Sequence, residues 1–180
     1  MITEEDKQTE NICPSTTALD LFTKCSVQFI DALCEIYEDP ALHKYKLKLS
    51  LAVGEMCTGD IEANKRSLID KWHKNMNMFY DRLNGGDESV FAEVEKTSSA
   101  LASIRMNQKF KLADQDTRTT IFEYLNTMNK YSSMYALYSG IPVNMMQKLT
   151  NMATNIQTSM EAGKTVGSLD ILNIGKKVAA

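Results

Sequence analysis

The stretch Ile36-Tyr37-Glu38-Asp39-Pro40-Ala41-Leu42 decides the fold, because it stops one amphipathic helix and starts the next. Pro40 disfavours helical geometry at Asp39, so a helix arriving from the N-terminal side must end there. The Asp39 carboxylate can accept the free N–H groups of a new helix. Proline at the first helical position gives up only a donor that had no partner anyway. Working backwards, Ser15 or Thr16 can cap a first helix that runs to about Glu38. Its apolar positions Leu19, Phe22, Phe29, Ile30, Leu33, Ile36 and Tyr37 form one wide stripe. Working forwards, Leu42, Tyr45, Leu49, Ala52, Val53 and Met56 line one face of a second helix, which is expected to end in a left-handed cap at Gly59.

The same grammar recurs along the chain. Asp60 caps a third helix to about Leu83, with Ile61, Leu68, Ile69, Trp72, Met76, Phe79, Tyr80 and Leu83 on its inner face. Trp72, the single tryptophan, is expected to anchor the core. Asn84-Gly85-Gly86-Asp87 breaks the helix, and Glu88 to Met106 reads as a fourth helical segment bent at Thr97-Ser98-Ser99. Asn107 to Ala113 reads as a linker holding Phe110 and Leu112, after which Asp114 or Asp116 caps a fifth helix to about Ser139. Gly140-Ile141-Pro142 is a stop followed by a start. The sixth helix, 142–162, carries Met146, Leu149, Ala153, Ile156 and Met160 as a short heptad seam suited to packing on a bundle.

The expected fold is therefore all-α, a bundle of about five to six amphipathic helices. A helical domain over 15–162 lies between an irregular polar lead-in, 1–14, and a C-terminal tail, 163–180. In the tail, Gly163, Gly167 and Gly175 punctuate the run Leu169-Asp170-Ile171-Leu172-Asn173-Ile174, which reads as a docking strap. Leu169, Ile171, Leu172 and Ile174 are its candidate partner-binding residues. Met145 joins them, because adjacent Met145 and Met146 cannot both point inward.

Composition narrows the function classes. The net charge is −3, and Lys and Arg are interspersed with Asp and Glu. A duplex-binding domain concentrates a basic excess on one face, so no nucleic-acid partner is expected. The one lysine-rich stretch, His43-Lys44-Tyr45-Lys46-Leu47-Lys48, follows the acidic Glu35 to Asp39 and reads as a solvated helix face. Cys13, Cys25, Cys34 and Cys57 show no C-x-x-C spacing and mostly fall in helical patterns, where cysteine acts as a small apolar residue. With an acidic start, Met1-Ile2-Thr3-Glu4-Glu5-Asp6, that favours a reducing intracellular compartment over secretion. No run of 18 apolar residues occurs, so no membrane span is expected.

Catalytic and cofactor motifs are missing where their chemistry would need them. His43 and His73 form no H-x-x-x-H or H-E-x-x-H pair, and no Glu precedes a His by three places as di-iron bundles require. Gly85-Gly86 lies outside any phosphate-binding pattern. No G-x-S-x-G elbow is present. The eleven methionines fall mainly at core-facing positions, and the tyrosines from Tyr124 to Tyr138 divide between core and an interface-like patch. No catalytic, metal or cofactor residue is expected.

Phe29-Ile30-Asp31-Ala32-Leu33, then Tyr37-Glu38-Asp39-Pro40, Tyr45, Leu49, and Trp72 with Met78-Phe79-Tyr80, resembles a helical domain of large nucleocytoplasmic DNA viruses, chlorovirus-like members included. The resemblance spans about residues 19–92. Viruses of this kind carry many small helical proteins, several of them minor capsid components. The resemblance implies a virion protein assembled in host cytoplasm, with other structural proteins, the major capsid protein among them, as partners. The expected function is a non-enzymatic structural or assembly protein, a minor capsid component cementing larger coat proteins. The alternative is an intracellular helical adaptor that binds a protein through a groove between helices.

Overall fold

A computed structural model describes residues 14–141 together with Met145, Asn151, Thr154 and Thr158. Among them every regular element is a helix, and the fold is an all-α bundle. Helix α1 spans Pro14–Ile36, α2 Pro40–Val53 and α3 Ile61–Met76. A 3-10 turn, Asn77–Phe79, leads into α4, Tyr80–Asn84. Then come α5 Val90–Thr97, α6 Ser99–Ser103, α7 Met106–Leu112 and α8 Gln115–Ser139. The chain divides into two units, Met1–Tyr138 and Ser139–Ala180. In the second, Met145, Asn151, Thr154 and Thr158 are helical, and the Thr158 hydroxyl donates to the Thr154 carbonyl at 2.9 Å. The remainder of the expected sixth helix, and the tail with it, lie outside the described residues.

The first unit follows the local signals closely. At Asp39 the backbone is extended, and the Ala41 N–H donates to Asp39 Oδ1 at 2.8 Å. Ala63 N–H donates to Asp60 Oδ1 at 3.0 Å, and Thr117 N–H to Asp114 Oδ1 at 2.8 Å, so Asp114 rather than Asp116 caps α8. Along α1, Leu19, Phe22, Phe29, Ile30 and Leu33 are buried as the stripe predicts. Two hydroxyls are buried there as well. Thr23 donates to the Leu19 carbonyl and Ser26 to that of Phe22, which satisfies both without leaving the helix.

Aromatic contacts join the elements. Phe91 of α5 stacks on Phe110 of α7 with centroids 3.9 Å apart, and Phe122 of α8 meets both edge-on at 5.4 Å. Trp72 of α3 packs edge-on to Phe22 of α1 at 6.0 Å and donates its Nε1–H to Asn129 Oδ1 of α8 at 2.8 Å. That confirms Trp72 as an anchor, half-buried rather than central. An apolar cavity lined by Phe22, Phe29, Trp72 and Leu101 holds about 30 Å³. Ligand pockets run to about 300 Å³ and more, so this space is too small for one.

Several expectations need correction. The third helix does not run unbroken to Leu83, because α3 ends at Met76 and the 3-10 turn Asn77–Phe79 separates it from α4. The second helix ends at Val53, with Gly54 rather than Gly59 after it, and Met56 is exposed outside the helix. A side chain at Gly54 would put its Cβ 2.8 Å from the Ser50 carbonyl oxygen, which is why glycine fits at this position. Gly59 has nothing within 4 Å of that position, and the positive-φ glycine among the described residues is Gly86, at 73°. The segment from Glu88 to Met106, read as one helix bent at Thr97-Ser98-Ser99, is two helices, α5 and α6, and the break falls at the expected bend. They meet at Ser98, whose extended backbone and hydroxyl cap the second of them. Asn107–Ala113 is no linker, because Met106 and Phe110, four residues apart, bury one face of α7. Finally, Ile36, Ile61 and Tyr80 are exposed rather than on an inner face.

Candidate functional site

Where α1 gives way to α2, the chain turns past α7 and leaves an open cleft of about 390 Å³. Ile36, Tyr37, Glu38, Asp39 and Pro40 form one wall, and Arg105, Gln108, Lys109 and Leu112 the other. The first wall exists because Pro40 forces Asp39 out of helical geometry. The second exists because Arg105, between α6 and α7, takes a left-handed conformation with φ 52° and ψ 51°. It is the one non-glycine residue with positive φ among the described residues. A residue with a Cβ pays roughly 1–2 kcal/mol to sit there.

The floor of the cleft is an ion pair. Lys109 is buried, and its ammonium donates both to the Asp39 carboxylate and to the Ile104 carbonyl, the latter at 2.7 Å. It also lies 5.8 Å from the centre of the Tyr37 ring, whose hydroxyl donates to the Lys109 carbonyl at 3.0 Å. The hydrogen bond from Lys109, then the Ala41 N–H, hold the Asp39 carboxyl below its ordinary range. Burial, then the charge of Asp114, push the Tyr37 hydroxyl above its own. These groups lock the α1–α2 corner to α7 and keep each other's charges satisfied. Arg105 and Glu38, both exposed, form no ion pair or side-chain hydrogen bond among the described residues.

The rim is apolar. Ile36 is 49% exposed and Leu112 77%. A second apolar feature lies on the outer face of α2, where Leu47 and Leu51, one turn apart, are 52% and 48% exposed beside Lys44 and Lys48. The lysines there are solvated, as expected, and Lys46 pairs with Asp31 at 2.9 Å.

Of the candidate partner-binding residues, Met145 is helical and half-buried. Leu169, Ile171, Leu172 and Ile174 lie outside the described residues. The structure adds residues that the sequence reading did not single out. Arg105 belongs to a segment read as a bent helix, and Lys109 to one read as linker. Asp39 was legible as a cap and silent about Lys109, its partner 70 residues away. Cys25 is a core thiol that burial pushes up to about 11, and Cys34 and Cys57 are free and half-buried. Among the described residues no group of three or more His, Cys, Asp or Glu side chains could hold a metal ion, and no helix is long and apolar enough to cross a membrane. No family model, curated protein or solved structure matches the chain.

Proposed function

We propose that this chain acts by binding other proteins, as a non-enzymatic structural or assembly component. The observation that carries the reading is the pair of exposed leucines on the outer face of α2. Leu47 and Leu51 do not serve the chain's own core, and lysines on the same face keep the free helix in water. In the setting that the resemblance to large DNA viruses implies, the chain is a minor capsid component cementing larger coat proteins. It is made in host cytoplasm and retained in the virion. Met145 and the tail residues Leu169, Ile171, Leu172 and Ile174 would supply further contacts to the neighbours.

Quantitative mass spectrometry of purified particles tests this directly. The reading predicts a fixed copy number relative to the coat protein, and deletion of 164–180 should lower it while the helical signal in circular dichroism persists. Absence from particles would refute the capsid role. Normal incorporation after the deletion would refute the strap.

A second reading, an adaptor that takes a partner through a groove between helices, is favoured by the cleft between the α1–α2 corner and α7. It predicts a stable monomer outside particles that binds through residues of that cleft.

A further inference from the structure

Helix α2 carries two leucine stripes, and the bundle uses one of them. A surface helix ordinarily has a single apolar stripe, turned to the core. In α2 that stripe is Leu42, Leu49 and Val53, all buried. Leu47 and Leu51 form the other on the opposite side, since Leu47 and Leu49 stand about 200° apart around the helix. Lys44 and Lys48 share this outer face, each three residues before one of the leucines. Both are exposed and form no ion pair among the described residues, whereas Lys46 is paired with Asp31. No Asp or Glu occurs within α2, so the helix leaves this positive charge uncompensated in a chain whose net charge is −3.

The chain itself carries a segment of the opposite character. Residues 1–13, which precede the described part, hold Glu4, Glu5, Asp6 and Glu10 against one lysine, Lys7, with Ile2 beside the acidic run. The tail fits poorly, because Lys164, Lys176 and Lys177 outnumber its one acidic side chain, Asp170. A second copy joined α2 to α2 would set lysines against lysines. The reach is sufficient. Lys46 pairs with Asp31, so α2 returns along α1 and sets Leu51 roughly level with Ser26. From Pro14 that is about 18 Å along α1 and about 20 Å across to the far side of α2, or about 27 Å in a straight line. The stretch from Glu4 to Pro14 extends to about 33 Å. Building on the reading above, in which Leu47 and Leu51 take a partner protein, we propose that residues 1–13 fold back onto this face in the free chain. Glu4, Glu5 and Asp6 then lie beside Lys44 and Lys48, and Ile2 covers the leucines. A tether this short gives an effective concentration of about millimolar, so contacts too weak for a separate peptide suffice. A partner must displace the segment, which therefore acts as a removable cover.

Zero-length carbodiimide cross-linking of the dilute full chain, read by peptide mass spectrometry, tests the contact. Links from Glu4, Glu5 or Asp6 should reach Lys44 and Lys48 at least about fivefold more often than Lys24, which is exposed on α1 and nearer along the chain. That preference should vanish in about 0.5 M salt. It should vanish too in Leu47→Ser/Leu51→Ser, which keeps both lysines. Neutralising the segment in the full chain, with Glu4→Gln, Glu5→Gln and Asp6→Asn together, tests the cover. This variant should outcompete the wild type for incorporation into particles by about three- to tenfold, because a competing closed state is removed. Links that favour Lys24, or that spread evenly over exposed lysines, overturn the proposal and leave the protein-binding reading standing. Links between copies, seen on mixing isotope-labelled and unlabelled chains, make the occupant a second copy and overturn it as well. Equal incorporation of the neutralised variant and the wild type would refute the cover. Selective links together with normal incorporation of Leu47→Ser/Leu51→Ser would refute the protein-binding reading of this face, and the competition with it.

Discussion

Asp39 accepts the Ala41 N–H as a helix cap and the Lys109 ammonium as an ion partner, and Asp39→Asn separates the two. Asparagine caps helices about as well as aspartate, so the cap survives and the charge is lost. That leaves a buried ammonium without its anion, and the variant should be destabilised by about 2 kcal/mol at neutral pH in urea titrations. The pH dependence follows from the depressed Asp39 carboxyl. Its contribution is fully present above the unfolded-state value near 4 and disappears as pH falls through the lower folded value. The gap between wild type and Asp39→Asn should therefore be constant above about pH 5 and close in acid. Asp87 acts in the same direction. The Ser89 hydroxyl, then Arg82, hold it down to about 2, so its contribution too starts to fall near the unfolded-state value of about 4 and is gone below the folded one. A gap that widens in acid would mean that the pair is not formed.

At the level of elements, legibility followed the range of the interaction. The caps at Asp39, Asp60 and Asp114 were readable because cap chemistry lies within three residues of the helix start. The bend at Ser98 was readable for the same reason. Helix α7 was not, because its seven residues are too few to display a period and its burial comes from Phe91 and Phe122 on other helices. The cleft was half legible. One wall is the Asp39-Pro40 signal, whereas the other depends on α7 and on a left-handed arginine that no local pattern announces. Phe110→Ala should therefore cost about 3–5 kcal/mol, measured by thermal or urea unfolding, because it removes the ring that ties α7 to α5 and α8. Gly54→Ala should cost about 1–3 kcal/mol, since the new Cβ meets the Ser50 carbonyl oxygen at 2.8 Å and that oxygen belongs to the backbone. An unfolding midpoint equal to wild type for Gly54→Ala would mean that the chain relaxes around the new Cβ.

For the molecule as a whole, the groups that hold the bundle together are distinct from those it offers outward. Trp72 reports on the inside, through its contacts with Phe22 and Asn129. Replacing Leu47 and Leu51 together by serine should leave the Trp72 fluorescence transition within about 0.5 kcal/mol of wild type, because neither side chain is buried. The same double variant should be poorly incorporated where the wild-type chain is retained. Normal incorporation would remove the outer face of α2 from the contact surface. The central claim, that this chain works through its exposed apolar faces, is tested most directly by hydrogen–deuterium exchange of the chain alone and within its native assembly. Exchange should slow in the assembly over residues 36–51 and 105–112, with the interior of α8 unchanged. Identical exchange over those two segments in both states would contradict it.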